Sequence, residues 1–154
     1  MRLYLVQHGA ALAKERDPER PLSEHGRGDI ERLAAVLALR EVRAERVFHS
    51  GKARAEQTAV LLAEALTDDG RCEAQPGLSP NDPVAAVAAE TERWSDDVVL
   101  VGHLPFMARL AALLVVGRED AEIAAFRPGT MLCLERADDS WSVAWMLRPE
   151  LLGE

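Results

Sequence analysis

Val98-Val99-Leu100-Val101-Gly102-His103-Leu104-Pro105 decides the fold. Four branched apolar residues in a row read as a strand buried on both faces. The strand ends in Gly-His, and Pro105 opens a helix that is apolar from Leu110 to Val116 and stops near Gly117. Upstream, Arg2 to Gln7 reads as a buried strand and residues 10–21 as a polar loop. Ser23 reads as the N-cap of a helix through Leu33, Val36 and Leu37. Glu45 to His49 is a short strand, and Lys52 to Leu66 a helix with Val60, Leu61 and Leu62 inside. A Gly/Pro-rich stretch runs from Gly70 to Pro83, and Asp82 caps a helix through Val84, Val87 and Trp94. Met131 to Arg136 and Trp141 to Leu147 form a closing hairpin across the turn Asp138-Asp139-Ser140.

Strands that alternate with helices imply an α/β, three-layer sandwich with a mostly parallel sheet and helices on both faces. The 154 residues suffice for a single domain spanning 1–154, and with 48% hydrophobic residues it needs no staples. The net charge of −8 repels phosphate backbones, so nucleic-acid binding is not expected. Any phosphate site must then rely on a few local cations. No apolar run approaches the roughly 20 residues of a membrane span. The start, Met1 to Val6, is too short and soon too polar for a signal peptide, so a cytoplasmic location is expected. Cys72 and Cys133 fit no zinc spacing and read as buried, reduced thiols in strand-like stretches.

In such sheets, ligands bind beyond the carboxyl ends of the strands. Three of those ends carry unusual chemistry: His8-Gly9; His49-Ser50-Gly51, with Arg54 in the next helical turn; and Gly102-His103. Alone, each His reads as a hydrogen-bonded structural residue and Arg54 as a surface cation. Together they converge at one edge. The adjoining glycines allow close backbone approach, and two helix N-termini favour an anion. A neutral imidazole is a competent nucleophile for phosphoryl transfer, provided that its other nitrogen is held by a hydrogen bond; a carbonyl near Gly9 is the expected partner. The two histidines lack the spacing of a helical metal pair and no carboxylate pair accompanies them, so neither metal nor cofactor is expected.

These residues carry a resemblance. Gln7-His8-Gly9, Ser50 with Arg54, Gln57-Thr58 and Gly102-His103-Leu104-Pro105 match, in order and spacing, the histidine phosphatase superfamily (phosphoglycerate mutase-like). Arg20-Pro21-Leu22-Ser23 and Arg54-Ala55-Glu56-Gln57-Thr58 resemble its short SixA-type phosphohistidine phosphatase branch. The resemblance implies that His8 is the transiently phosphorylated nucleophile and that Arg54 and His103 are its catalytic partners. Arg54, His103, Gln7, Gly9 and Arg20 then bind the phosphoryl group. It implies a phosphorylated protein as partner, such as a phosphorelay histidine domain, with inorganic phosphate as product.

Three departures stand out. Position 7 is Gln where the family pattern has Arg, which removes a charge but leaves an amide donor. Lys52 or Arg20 is placed to return part of that charge. Gly51 replaces a Pro, and the only acid in the region matching the leaving-group acid of larger members is Asp82, which also reads as a helix cap. A site without a strong acid suits the labile P–N bond of phosphohistidine better than an alkoxide leaving group. No long insertion forms a lid, so the site is expected to be shallow and open, suited to a protein side chain. Two other readings stay open: a phosphatase of a small phosphate ester, and a non-catalytic phosphate-binding module weakened by Gln7. His25 reads as exposed, His49 as packed, and Trp94, Trp141 and Trp145 as core or edge residues. Glu15, Asp17 and Glu19 read as a solvated loop.

Overall fold

The computed structural model describes residues 1–153. Its elements in chain order are β1 (Arg2–Gln7), α1 (Glu24–Leu39), β2 (Arg46–His49), α2 (Ala53–Leu66), β3 (Glu73–Ala74), α3 (Val84–Thr91), β4 (Val98–Gly102), α4 (Phe106–Val116), β5 (Met131–Ala137) and β6 (Ser140–Leu147). They build one sheet in the order β3-β2-β4-β1-β5-β6. The first four of these strands are mutually parallel. Only β5 runs against the rest, pairing antiparallel with both β1 and β6.

Strand alternation divides the core into two layers. Tyr4 and Val6 join Val99 and Val101 under α1 and α2. Leu3 and Leu5 join Val98 and Leu100 under α3 and α4. Both faces of β1 and β4 are therefore buried, which is why Leu3 to Val6 and Val98 to Val101 are continuously apolar. The hairpin turn takes left-handed backbone at both Asp138 (φ 52°) and Asp139 (φ 62°), the twist that a two-residue β connection needs.

Ser23 caps α1 as its sequence implies, its Oγ accepting the Gly26 N–H at 3.0 Å. Gly26 has a second role. A Cβ there would lie 1.9 Å from the Ala10 carbonyl oxygen, so the first turn of α1 touches the chain just after β1 only because residue 26 lacks a side chain. Gly26→Ala should lower unfolding stability by about 3 kcal/mol, the upper end for overpacking, because a backbone carbonyl cannot step aside. Gly28→Ala, whose Cβ would only graze the Arg32 guanidinium at 3.4 Å, should gain roughly 0.5–1 kcal/mol of helix propensity. Urea titration of the pair checks both signs.

Some expectations need correction. Val60 is 39% exposed, because three consecutive apolar residues cannot share one helix face; Thr58, Ala59, Leu62 and Ala63 take the inward positions. The helix α3 ends at Thr91, short of Trp94. There the Arg136 guanidinium, arriving from β5, donates to the carbonyls of Thr91 and Trp94 and satisfies the helix end. Trp94 instead packs against Phe48, with Arg46 lying over both rings. Asp82 does not cap α3, whose N-cap is Pro83; its carboxylate accepts the Ser79 N–H and closes a turn. The Gly/Pro-rich stretch contains the two-residue strand β3. Cys72 precedes that strand and is half-buried, whereas Cys133 on β5 is fully buried, its thiol pushed up to about 12 by desolvation.

Candidate active site

The parallel register sets Gln7 beside Gly102, and His49 beside Val101. The carboxyl ends of β1, β2 and β4 thus form one rim, and the residue following each strand enters the same space. His8 and His103 face each other there, ring centroids 5.0 Å apart at 53°. Arg54, in the first turn of α2, brings its Nε to 3.4 Å from His8 Nε2.

This geometry assigns the tautomer of His8. Its Nδ1 lies 2.7 Å from the Gly9 carbonyl oxygen, which can only accept, so Nδ1 carries the proton. Nε2 is then a lone pair directed toward Arg54. Burial, reinforced by the charges of Arg54 and Arg20, holds the imidazole down at about 4 despite the opposing Gly9 bond. The ring is therefore neutral and nucleophilic at physiological pH.

His103 is 2% exposed. Its Nε2 meets the Ser50 hydroxyl at 2.6 Å, and its Nδ1 is buried with no partner among the described residues. Burial first, then the neighbouring His8, Arg54, Lys52 and Arg20, lower its pKa to about 3. Arg54 is itself lowered by burial and by Arg20. Arg20 therefore adds positive field at all three residues from the loop, at a backbone φ of 48° that is strained for a residue with a side chain. Its N–H donates to Asp17 O and its Nε to Leu12 O, which fix the strained conformation.

The Gln57-Thr58 pair holds the loop and the nucleophile together. Thr58 Oγ1 donates to Arg54 O and accepts the Gly9 N–H, while Gln57 Oε1 accepts the Leu22 N–H. Gly9, expected at the phosphate, therefore has its N–H engaged by Thr58 and its carbonyl by His8. Its missing side chain makes room for Ile30, Leu22 and the Gly26 carbonyl. Gly102 likewise makes room for Met107. Both glycines serve packing that positions the histidines.

Gln7 is 8% exposed, and its Oε1 has no partner among the described residues. Its backbone, and that of His8, is buttressed by a segment that the sequence reading passed over. The Gly129 N–H donates to the carbonyls of Gln7 and His8, and Thr130 O accepts the Gln7 N–H. A Pro-Gly turn ahead of β5 was the available signal. His49 packs as expected, 4% exposed, with Nδ1 accepting the Gly51 N–H. His25 is exposed and pairs with Asp29 on its own helix. Among the described residues no cluster of three or more His, Cys, Asp or Glu side chains is placed to hold a metal ion. None of the described helices is long and apolar enough to cross a membrane.

Residues 3–79 match the family model described as the histidine phosphatase superfamily (branch 1). The chain is 32% identical over 122 residues to the phosphohistidine phosphatase SixA of Escherichia coli strain K12, covering 76% of each protein. A solved structure of the protein histidine phosphatase SixA complexed with tungstate superposes with a TM-score of 0.85 over 99% of both chains, at 27% identity. The alpha-ribazole phosphatase of Shigella flexneri shares the fold alone, with a TM-score of 0.71 over 97% of both chains at 15% identity.

Proposed function

The chain belongs to the histidine phosphatase superfamily, on its SixA-type side, and from that premise we propose that it is a phosphohistidine phosphatase acting through a phospho-His8 intermediate. The observation that carries this reading is the tautomer-locked His8, its Nε2 lone pair accepting from Arg54 Nε at 3.4 Å and its ring facing that of His103.

In the proposed cycle, His8 Nε2 attacks phosphorus in line as the P–N bond breaks to the substrate ring, which carries a proton on its other nitrogen and so leaves as neutral imidazole. Arg54, His103 and the Gln7 amide share the equatorial oxygens, and Arg20 adds field from the loop. Water then attacks phospho-His8, breaking its P–N bond, and inorganic phosphate leaves. No step in this cycle calls for a metal. The whole chain acts as one histidine phosphatase domain. The substrate is a phosphorylated protein, a phosphorelay histidine domain being the favoured class, met in the cytoplasm.

Among the described residues no carboxylate hydrogen-bonds to His8 or acts on its charge, which supports a P–N substrate. Asp82, the acid considered from sequence, has its carboxylate engaged by the Ser79 N–H. A phosphohistidine peptide should be turned over with kcat/KM at least about tenfold above that for sugar phosphates or phosphoserine, whose alkoxides need a proton. A preference for the esters would establish the small-ester alternative. Phosphate binding without hydrolysis of either substrate or of phosphoramidate would establish the inert binding module.

A further inference from the structure

We propose that Lys52 supplies the phosphoryl contact whose charge is missing at Gln7. The assignment deepens the phosphatase reading above and rests on it. A transferring phosphoryl group presents three equatorial oxygens. Arg54 and His103 serve two of them. At the position beside the nucleophile this chain places a neutral amide, buried, with its Oε1 unpartnered. In a protein of net charge −8, the missing cation has to come from nearby.

Lys52 is placed for that. It is the N-cap residue of α2, two positions before Arg54, and lies exposed at the rim. Its N–H is 3.4 Å from Ser50 Oγ, which in turn meets His103 Nε2 at 2.6 Å. Its backbone is therefore tied to the second catalytic histidine through one hydroxyl. Gly51, at φ 94°, makes the reversal between β2 and α2 that brings residue 52 there.

The ammonium is also uncommitted. Among the described residues no carboxylate lies within ion-pair distance of Lys52, Glu56 one turn on included. Its field reaches the site, since Lys52 is one of the charges that keep His103 deprotonated. The other loop cation, Arg20, has its Nε tied to Leu12 O and its backbone held in a strained turn. A lysine on a flexible four-carbon stem binds phosphate as a point charge and needs no fixed fork geometry.

The test crosses Lys52→Ala with Gln7→Arg and reads both tungstate affinity by calorimetry and kcat/KM on phosphoramidate. Because residue 52 is exposed, the fold should survive, with circular dichroism and Tm as controls. Lys52→Ala should weaken tungstate binding and lower kcat/KM by about tenfold each, the low end for a charge-assisted hydrogen bond. Lys52→Arg should retain both values. In the Gln7→Arg background the same truncation should cost about threefold or less, because the two cations act on one group and their losses do not add. A tungstate affinity unmoved by Lys52→Ala, or an equal loss in both backgrounds, overturns the assignment. Tungstate binding that depends on Lys52 in a protein that hydrolyses nothing upholds the assignment and sinks the phosphatase reading instead.

Discussion

A pulse of radiolabelled phosphohistidine peptide should leave an acid-labile, base-stable label on the protein, and His8→Ala should carry none. The expectation follows from one bond. With Nδ1 donating to the Gly9 carbonyl at 2.7 Å, the only lone pair on His8 is at Nε2, where Arg54 also points. His103 lacks the carbonyl partner that fixes the tautomer of His8, its Nδ1 having no hydrogen bond among the described residues. Losing the nucleophile should reduce turnover on the order of 10⁴-fold or more, and the residue left should not saturate with label. Arg54→Ala separates the nucleophile from its surroundings. It keeps the lone pair in place but removes charge from the transition state, so labelling should slow by about 10²–10³-fold and still reach His8. Normal labelling of His8→Ala would move the nucleophile elsewhere and end the proposed mechanism. A label that appears only on His103 would do the same.

Much of this arrangement was legible in the chain because the signals were strong. Residues 3–6 of β1 and 98–101 of β4 are apolar without interruption, a pattern that double-sided burial explains, and both runs give way to polar residues at the rim. Parallel pairing then forces His8 and His103 to the same rim. What escaped reading had weak or distant causes. Two residues of β3, both exposed, show no periodicity. The end of α3 is set by Arg136, a residue 45 positions away, so no local stop signal marks it. Gly9 and Gly102 are ambiguous in sequence, because a missing Cβ serves a ligand and a neighbouring side chain equally well. Only the positions of Ile30 and Met107 decide the matter. The buttress from Gly129 and Thr130 is a backbone interaction and leaves almost no trace in side-chain identity.

The electrostatics of the site make acid the most discriminating condition. An ordinary imidazole, titrating near 6.5, is only about 3% neutral at pH 5, whereas one titrating near 4 is about 90% neutral. Because kcat/KM reports the free enzyme, it should stay flat from neutrality down to about pH 5, roughly 30-fold above what an unperturbed histidine would give. The His8 and His103 ring resonances should keep their neutral-form NMR shifts over the same range. An activity loss with an apparent pKa near 6.5 would mean that the nucleophile is solvated like a surface histidine, against its burial in the structure. Stability should move the opposite way. Both histidines, and His49 with them, have folded-state values below the unfolded one, so as pH falls through 6.5 the unfolded chain takes up protons that the native chain refuses. Their effect is nil well above pH 6.5 and grows destabilising down to the folded values, near 4 for His8 and 3 for His103. Urea midpoints should therefore fall between pH 7 and 5 while the folded fraction keeps its activity. Replacing His8 by Ala should remove part of that fall, since the burial that keeps the nucleophile unprotonated is the same burial that makes the native state resist protonation.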